Sequence, residues 1–82
     1  MERNEVFQQL KSIFEDILDE LEVELTEKSQ AENVEEWDSL THIQIITEIE
    51  KQFELTLTTR EIEALKDIGD MVSLIHSKLA VV

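Results

Sequence analysis

Apolar side chains return at three- and four-residue intervals in separate stretches of this 82-residue chain, while Glu22-Val23-Glu24-Leu25 alternates briefly. That rhythm is helical, because residues three and four apart stack on one helix face. Val6, Leu10, Ile13, Phe14, Ile17, Leu18 and Leu21 share the face of a first helix. Leu40, Ile43, Ile46, Ile49 and Phe53, joined by Ile45, mark a second, and Ile68, Met71, Val72, Ile75 and Leu79 mark the last. A helix with one apolar stripe cannot bury it alone, so the expected fold is all-α, a small four-helix bundle of three longer helices and a short third one. No Gly/Ser-rich linker or repeat divides the chain, so residues 1–82 read as a single domain. Leu10, Phe14, Ile17, Ile43, Ile46, Phe53, Ile68, Val72 and Ile75 are the expected core.

The junctions carry their own signals. Residues 22–38 lose the helical rhythm and hold Glu27, Glu32, Glu35 and Glu36, which predicts a long polar connection with a function or with short internal turns. Asp38 or Ser39 can cap the helix that follows, since a short oxygen-bearing side chain accepts from an unpaired backbone N–H. Leu55 and Leu57 anchor a link, and Thr58-Thr59-Arg60-Glu61 fits a capping box that opens a short helix bearing Ile62 and Leu65. At Asp67-Ile68-Gly69-Asp70 one helix stops and another starts, with Asp67 the better cap and Gly69 supplying backbone freedom.

Charge narrows the function. The chain has 20 Asp and Glu against 7 Lys and Arg, a net −13, and residues 1–39 carry most of it with 13 acidic and 3 basic side chains. Such a surface repels phosphate backbones and anionic lipid, so neither nucleic acid nor membrane is an expected partner, and basic protein surfaces are. No apolar run resembles a signal or a membrane span, which points to a soluble, cytoplasmic chain. The conventional catalytic patterns are missing. Cysteine is absent, His42 and His76 belong to no H-E-x-x-H pattern, the acidic loop has no calcium-loop series, and one glycine cannot build a phosphate cradle. Neither a catalytic apparatus nor a metal site is expected.

One stretch stands apart. In Glu36-Trp37-Asp38-Ser39-Leu40-Thr41 the single tryptophan precedes an Asp-Ser-Leu triplet, where the long loop becomes an apolar helix. Ser39 is expected to be exposed beside unpaired amides and the positive end of the helix dipole, a favourable place for an attached phosphate. For an isolated Asp-Ser pair, simple helix capping would be the better explanation.

The segment resembles the modification site of acyl carrier proteins, and the likeness runs over about residues 5–80. The second helix is matched by Leu40, Ile43, Ile46, Ile49 and Phe53, the short third helix by Thr59 to Leu65, and the last by Ile68 to Leu79. The resemblance implies that Ser39 receives 4′-phosphopantetheine from coenzyme A, supplying the thiol that the chain lacks. Asp38, as its counterpart does in the family, would help position the transferase's metal and coenzyme A, with Leu40 beside it. Implied partners are a phosphopantetheinyl transferase and acyl-transferring, ligase or synthase enzymes with basic docking patches, meeting a monomer through Leu40, Gln44, Glu48 and Ile62. Ile46, Ile49, Ile62 and Leu65 would line an acyl crevice, although their spacing is equally that of core residues. Trp37 either packs over the loop or meets a partner, packing being favoured, and His42 reads better as a solvent-facing residue than as a phosphate contact.

Two features depart from the primary fatty-acid carriers. Thr41 and Gln44 stand at positions commonly acidic there, leaving Ser39 to Phe53 with Glu48 and Glu50 against Lys51. Trp37 replaces a glycine-containing approach. A discrete carrier serving polyketide, lipid or another acyl product is at least as good a reading as fatty-acid synthesis. An aminoacyl or peptidyl carrier is the runner-up; an acidic helical adaptor without a prosthetic group, or a nucleic-acid mimic, are the readings from other classes.

Overall fold

The computed structural model describes residues 2–18 and 24–80. Helix α1 runs Arg3–Ile17, a single 3-10 turn occupies Ala31–Asn33, and α2 (Ser39–Phe53), α3 (Thr59–Glu63) and α4 (Ile68–Ala80) follow. Among the described residues there is no strand, and no helix is long and apolar enough to cross a membrane. Helix α1 packs against both α2 and α4, and the core lies where their apolar faces meet. The expected Leu21 of the first helix, the Val23 part of the short alternation and the terminal Val81 and Val82 lie outside the described residues.

Most of the expected core is buried: Leu10, Phe14, Ile46, Phe53, Ile68, Val72 and Ile75, together with Val6, Ile13, Ile45, Ile49 and Met71. Ile17 is only half-buried, packed against that cluster from the last turn of α1. Ile43 is a correction, because it is 64% exposed. A three-residue step falls about 60° short of a full helical turn. A series spaced strictly by three therefore rotates off the face that Ile45, Ile46, Ile49 and Phe53 define, taking Ile43 and Leu40 to the outside.

The connection between α1 and α2 is structured. Ser29 N–H donates to the Thr26 carbonyl and Trp37 N–H to the Val34 carbonyl, closing turns on either side of the 3-10 segment. Between its glutamates the loop inserts Leu25, Val34 and Trp37 into the core. The loop is then tied to the far end of the bundle. Ile68 N–H donates to the Ser29 carbonyl at 3.0 Å, and Gly69 N–H donates to the Glu27 carbonyl at 2.7 Å. Arg3 completes the tie, its guanidinium reaching the Glu27 carboxylate, the Ser73 hydroxyl and the Gly69 carbonyl.

Capping follows the expected chemistry. Thr58 Oγ1 accepts from Glu61 N–H while Glu61 accepts from Thr58 N–H, and Asp67 Oδ1 accepts from Asp70 N–H at 2.8 Å. Helix α3 is shorter than its Thr59 to Leu65 pattern, ending at Glu63 with Ala64 as its cap, so Leu65 sits on the link to α4. Lys78 of α4 pairs with Glu61 at 3.0 Å and holds the short helix down.

Gly69 has a different reason for being glycine than the expected one. Its φ is negative, so no special backbone freedom is used. A Cβ there would stand 2.9 Å from the Glu27 carbonyl oxygen, a backbone atom held by its own bond to Gly69. Gly69→Ala is expected to lower the unfolding free energy by about 1–3 kcal/mol through this overpacking, outweighing the roughly 0.5–1 kcal/mol that alanine gains in a helix. Urea unfolding checks this; stability equal to or above the parent would show that the loop simply moves aside.

Candidate functional site

Every feature of the predicted serine site is built from the loop-to-helix transition at residues 36–42. Asp38 takes extended backbone angles and caps α2, its Oδ1 accepting from Thr41 N–H at 2.9 Å. Thr41 answers, its Oγ1 accepting from Asp38 N–H at 2.8 Å. The same hydroxyl lies 3.0 Å from the Glu36 carbonyl, so it can fasten the preceding turn as well. Of the two capping candidates the structure selects Asp38, which leaves Ser39 in the first turn of the helix with its side chain exposed. The Asp38 carboxyl is held below its ordinary value of 3.8, chiefly by the Thr41 amide. It therefore stays ionised through the physiological range.

Trp37 fixes the other side of the serine. It is 5% exposed and meets Phe14 of α1 edge-on, ring centroids 4.9 Å apart at 89°. Its indole N–H donates to His42 Nδ1 at 3.0 Å. The packing role expected for Trp37 is what the structure shows. His42 differs from expectation: it is half-buried against the indole and not directed wholly to solvent. Because Nδ1 accepts a bond, the neutral ring carries its proton on Nε2. Burial pushes the His42 pKa below 6.5.

Ser39, Asp38, Trp37 and His42 line an open cleft of about 530 Å³, together with Glu32 from the loop and Leu65 and Lys66 from the α3–α4 link. Of the residues assigned to an acyl crevice, this cleft gathers only Leu65. Ile46 and Ile49 are buried core residues, and Ile62 is half-buried against that core. The residues assigned to partner contact divide differently. Leu40 is 66% exposed and Gln44 is exposed, while Glu48 is half-buried and accepts from the Gln52 amide at 2.9 Å. Exposed Ile43 adds to Leu40 an apolar strip on α2 that the sequence pattern assigned to the core. Its angular position relative to Ile45 and Ile49 was the available signal. Lys66 has no local sequence signal at all, since only the packing of the α3–α4 link beside the loop brings it to the serine. Among the described residues no cluster of three or more His, Asp or Glu side chains could hold a metal ion.

Comparison with known proteins agrees with this geometry. Residues 8–75 match the family model described as the phosphopantetheine attachment site. The chain is 32% identical over 79 residues to the acyl carrier protein of Coprothermobacter proteolyticus, covering 96% of both. It is 30% identical over 77 residues to that of Thermotoga maritima, covering 94% of this chain and 95% of that one. Its fold is similar to the solution structure of a holo acyl carrier protein from Geobacter metallireducens, with a TM-score of 0.83 and 31% identity over 92% of this chain and 86% of that chain.

The Trp37–His42 contact has a pH signature. A folded-state pKa below 6.5 means that the unfolded chain binds the proton first, so this contribution to stability is complete above about 6.5. It is lost as pH falls from there through the folded value. His42 should titrate below 6.5 by NMR, and the indole N–H signal of Trp37 should shift with it. A midpoint at or above 6.5 would mean that the Glu32 and Asp38 carboxylates lining the same cleft outweigh burial.

Proposed function

The chain belongs to the phosphopantetheine-attachment family as an acyl carrier protein, and we propose that Ser39 is the residue that bears the 4′-phosphopantetheine arm. Members of this family are carriers and not catalysts, and they are served by a phosphopantetheinyl transferase and by acyl-handling enzymes. The observation that supports Ser39 is its exposure in the first turn of α2, on the rim of the cleft shared with Trp37, His42, Leu65 and Lys66. Those residues fit the group: helix amides and a lysine suit a phosphodiester, and Leu65 with the Trp37 ring suits the less polar stem.

When bound, the arm supplies the thiol on which an acyl group is held as a thioester. The chain's own part is presentation. The Asp38–Thr41 capping box holds the first turn of α2, so the Ser39 hydroxyl projects from a fixed backbone into solvent. Trp37 anchors the approach to it. Among the described residues, His42, the one imidazole lining the cleft, offers Ser39 no base, because its Nδ1 accepts from the indole and Nε2 carries the proton. Proton removal from Oγ therefore falls to the transferase. Asp38, ionised and adjacent, is the group of this chain best placed to meet that enzyme's metal and coenzyme A.

The same reading covers residues 1–82 as one monomeric, cytoplasmic carrier domain. Its cargo is an acyl intermediate of fatty-acid, polyketide or other lipid-type assembly, and α2 supports a discrete carrier in particular. Leu40, Ile43 and Gln44 present an exposed face there, with Glu48 and Ile62 at its borders, and Ser39 to Phe53 holds only Glu48 and Glu50 against Lys51. Docking to this face draws on apolar burial for its lifetime, so the dissociation rate of a partner should depend weakly on salt, while the association rate of a basic partner falls as salt rises.

Incubation with coenzyme A and a broad-specificity transferase should add one arm to the intact mass of the parent and none to Ser39→Ala; an arm retained by that variant would refute the assignment. The double variant Leu40→Ala, Ile43→Ala should lower kcat/KM for arm addition about tenfold or more, as expected for losing two central apolar contacts. Its thermal unfolding should stay near that of the parent, both side chains being exposed. Unchanged kinetics would move the docking face off this strip.

A further inference from the structure

We infer that the arm, once on Ser39, folds back into the cleft beside it, with its phosphodiester held between Lys66 and His42 and its stem laid along Leu65 and Trp37. The inference rests on Ser39 being the attachment point. Lys66 is the one cation lining a cleft that also contains Glu32 and Asp38. Adding a phosphodiester beside two carboxylates is electrostatically unfavourable, and a lysine lining the same cleft offsets it. Among the described residues the Lys66 ammonium is in no ion pair, as is also true of Lys11, Lys28, Lys51 and Arg60, but of these only Lys66 lines the cleft.

Lys66 is also set in place. Its backbone N–H donates to Asp70 Oδ2 at 2.9 Å, and Asp70 N–H in turn donates to Asp67 Oδ1, so the link that carries Lys66 is locked to the start of α4. In the same cleft, the indole bond to Nδ1 orients the His42 ring and leaves the proton on Nε2. That N–H has no partner among the described residues. A neutral donor on one side and a cation on the other suit a monoanionic phosphodiester. The volume, about 530 Å³, is in the range of small-molecule sites. This cleft is separate from the interior faces of Ile46 and Ile49, so it seats the arm and not the chain's buried core.

The test compares apo and arm-bearing full-length protein by amide NMR, with intact mass measured on the same samples. Arm addition should move the signals of Leu65, Lys66 and the Trp37 indole as well as those of residues 38–41. In Lys66→Gln the arm should still be added, and the shifts at Leu65 and the indole should shrink about two- to fivefold, the range an exposed ion pair supports. Raising salt to 1 M should reduce the parent's shifts in the same direction, and Lys66→Arg should restore them. Shifts confined to residues 38–41, or unaffected by Lys66→Gln, would overturn the cleft seat while leaving attachment intact. A mass that does not rise, or rises equally in Ser39→Ala, would overturn the attachment reading and this one with it.

Discussion

The position of the serine depends on one buried side chain outside the helices, Trp37. A tryptophan removes about 150–250 Å² from water, worth on the order of 4–6 kcal/mol before ordering costs. Here that surface goes against Phe14 of α1, while the indole N–H is satisfied by His42 of α2. The ring thus joins the first helix, the loop and the second helix at one point. Because Trp37 and the Asp38 cap are adjacent, the register of α2 and the exit of the loop are set together. A loop held only by its glutamates would leave Ser39 free to fray with the helix end.

Local chemistry was readable in the sequence wherever a partner lay within a turn or two. The Thr58–Glu61 box, the Asp67 cap and the inward stripe of α4 all depend on neighbours three or four residues away, and all are present. What could not be read depends on distant packing. Ile43 and Ile45 are equally apolar and two residues apart; angular position separates Ile43 from Ile45 and Ile49, but the approach of α1 decides which of the two sides faces in. Gly69 looked like a hinge because glycine usually serves one, but the loop carbonyl of Glu27 presses on it from forty-two residues away. The loop's internal turns were foreseen only in kind; Val34 and Leu25, single apolar residues among glutamates, carry no periodicity from which their burial could be read.

Acidity and the proposed docking strip lie largely apart on this molecule. The net −13 is weighted towards the first 39 residues, whereas the exposed strip of α2 is apolar at Leu40 and Ile43. Long-range charge acts on encounter, raising the rate at which basic partners arrive, and short-range contact acts on lifetime. A carrier must visit several enzymes in turn, so it needs fast arrival and fast release. With most of the charge outside the proposed docking strip, arrival is hastened without slowing release.

The absence of a thiol and of a serine-activating base in a chain that handles thioesters follows from the same division. A base close enough to activate Ser39 would also lie close to a thioester brought back to that site, where it could direct water at it. His42, which lines the cleft with Ser39, is kept from that role in two ways: its Nδ1 is occupied by the indole, and burial lowers its basicity. The proton it retains on Nε2 can still donate to a phosphate oxygen. Trp37 therefore does more than brace the loop. In the proposed seating of the arm, fixing the tautomer of His42 withholds a base from the serine and leaves a donor for the phosphodiester.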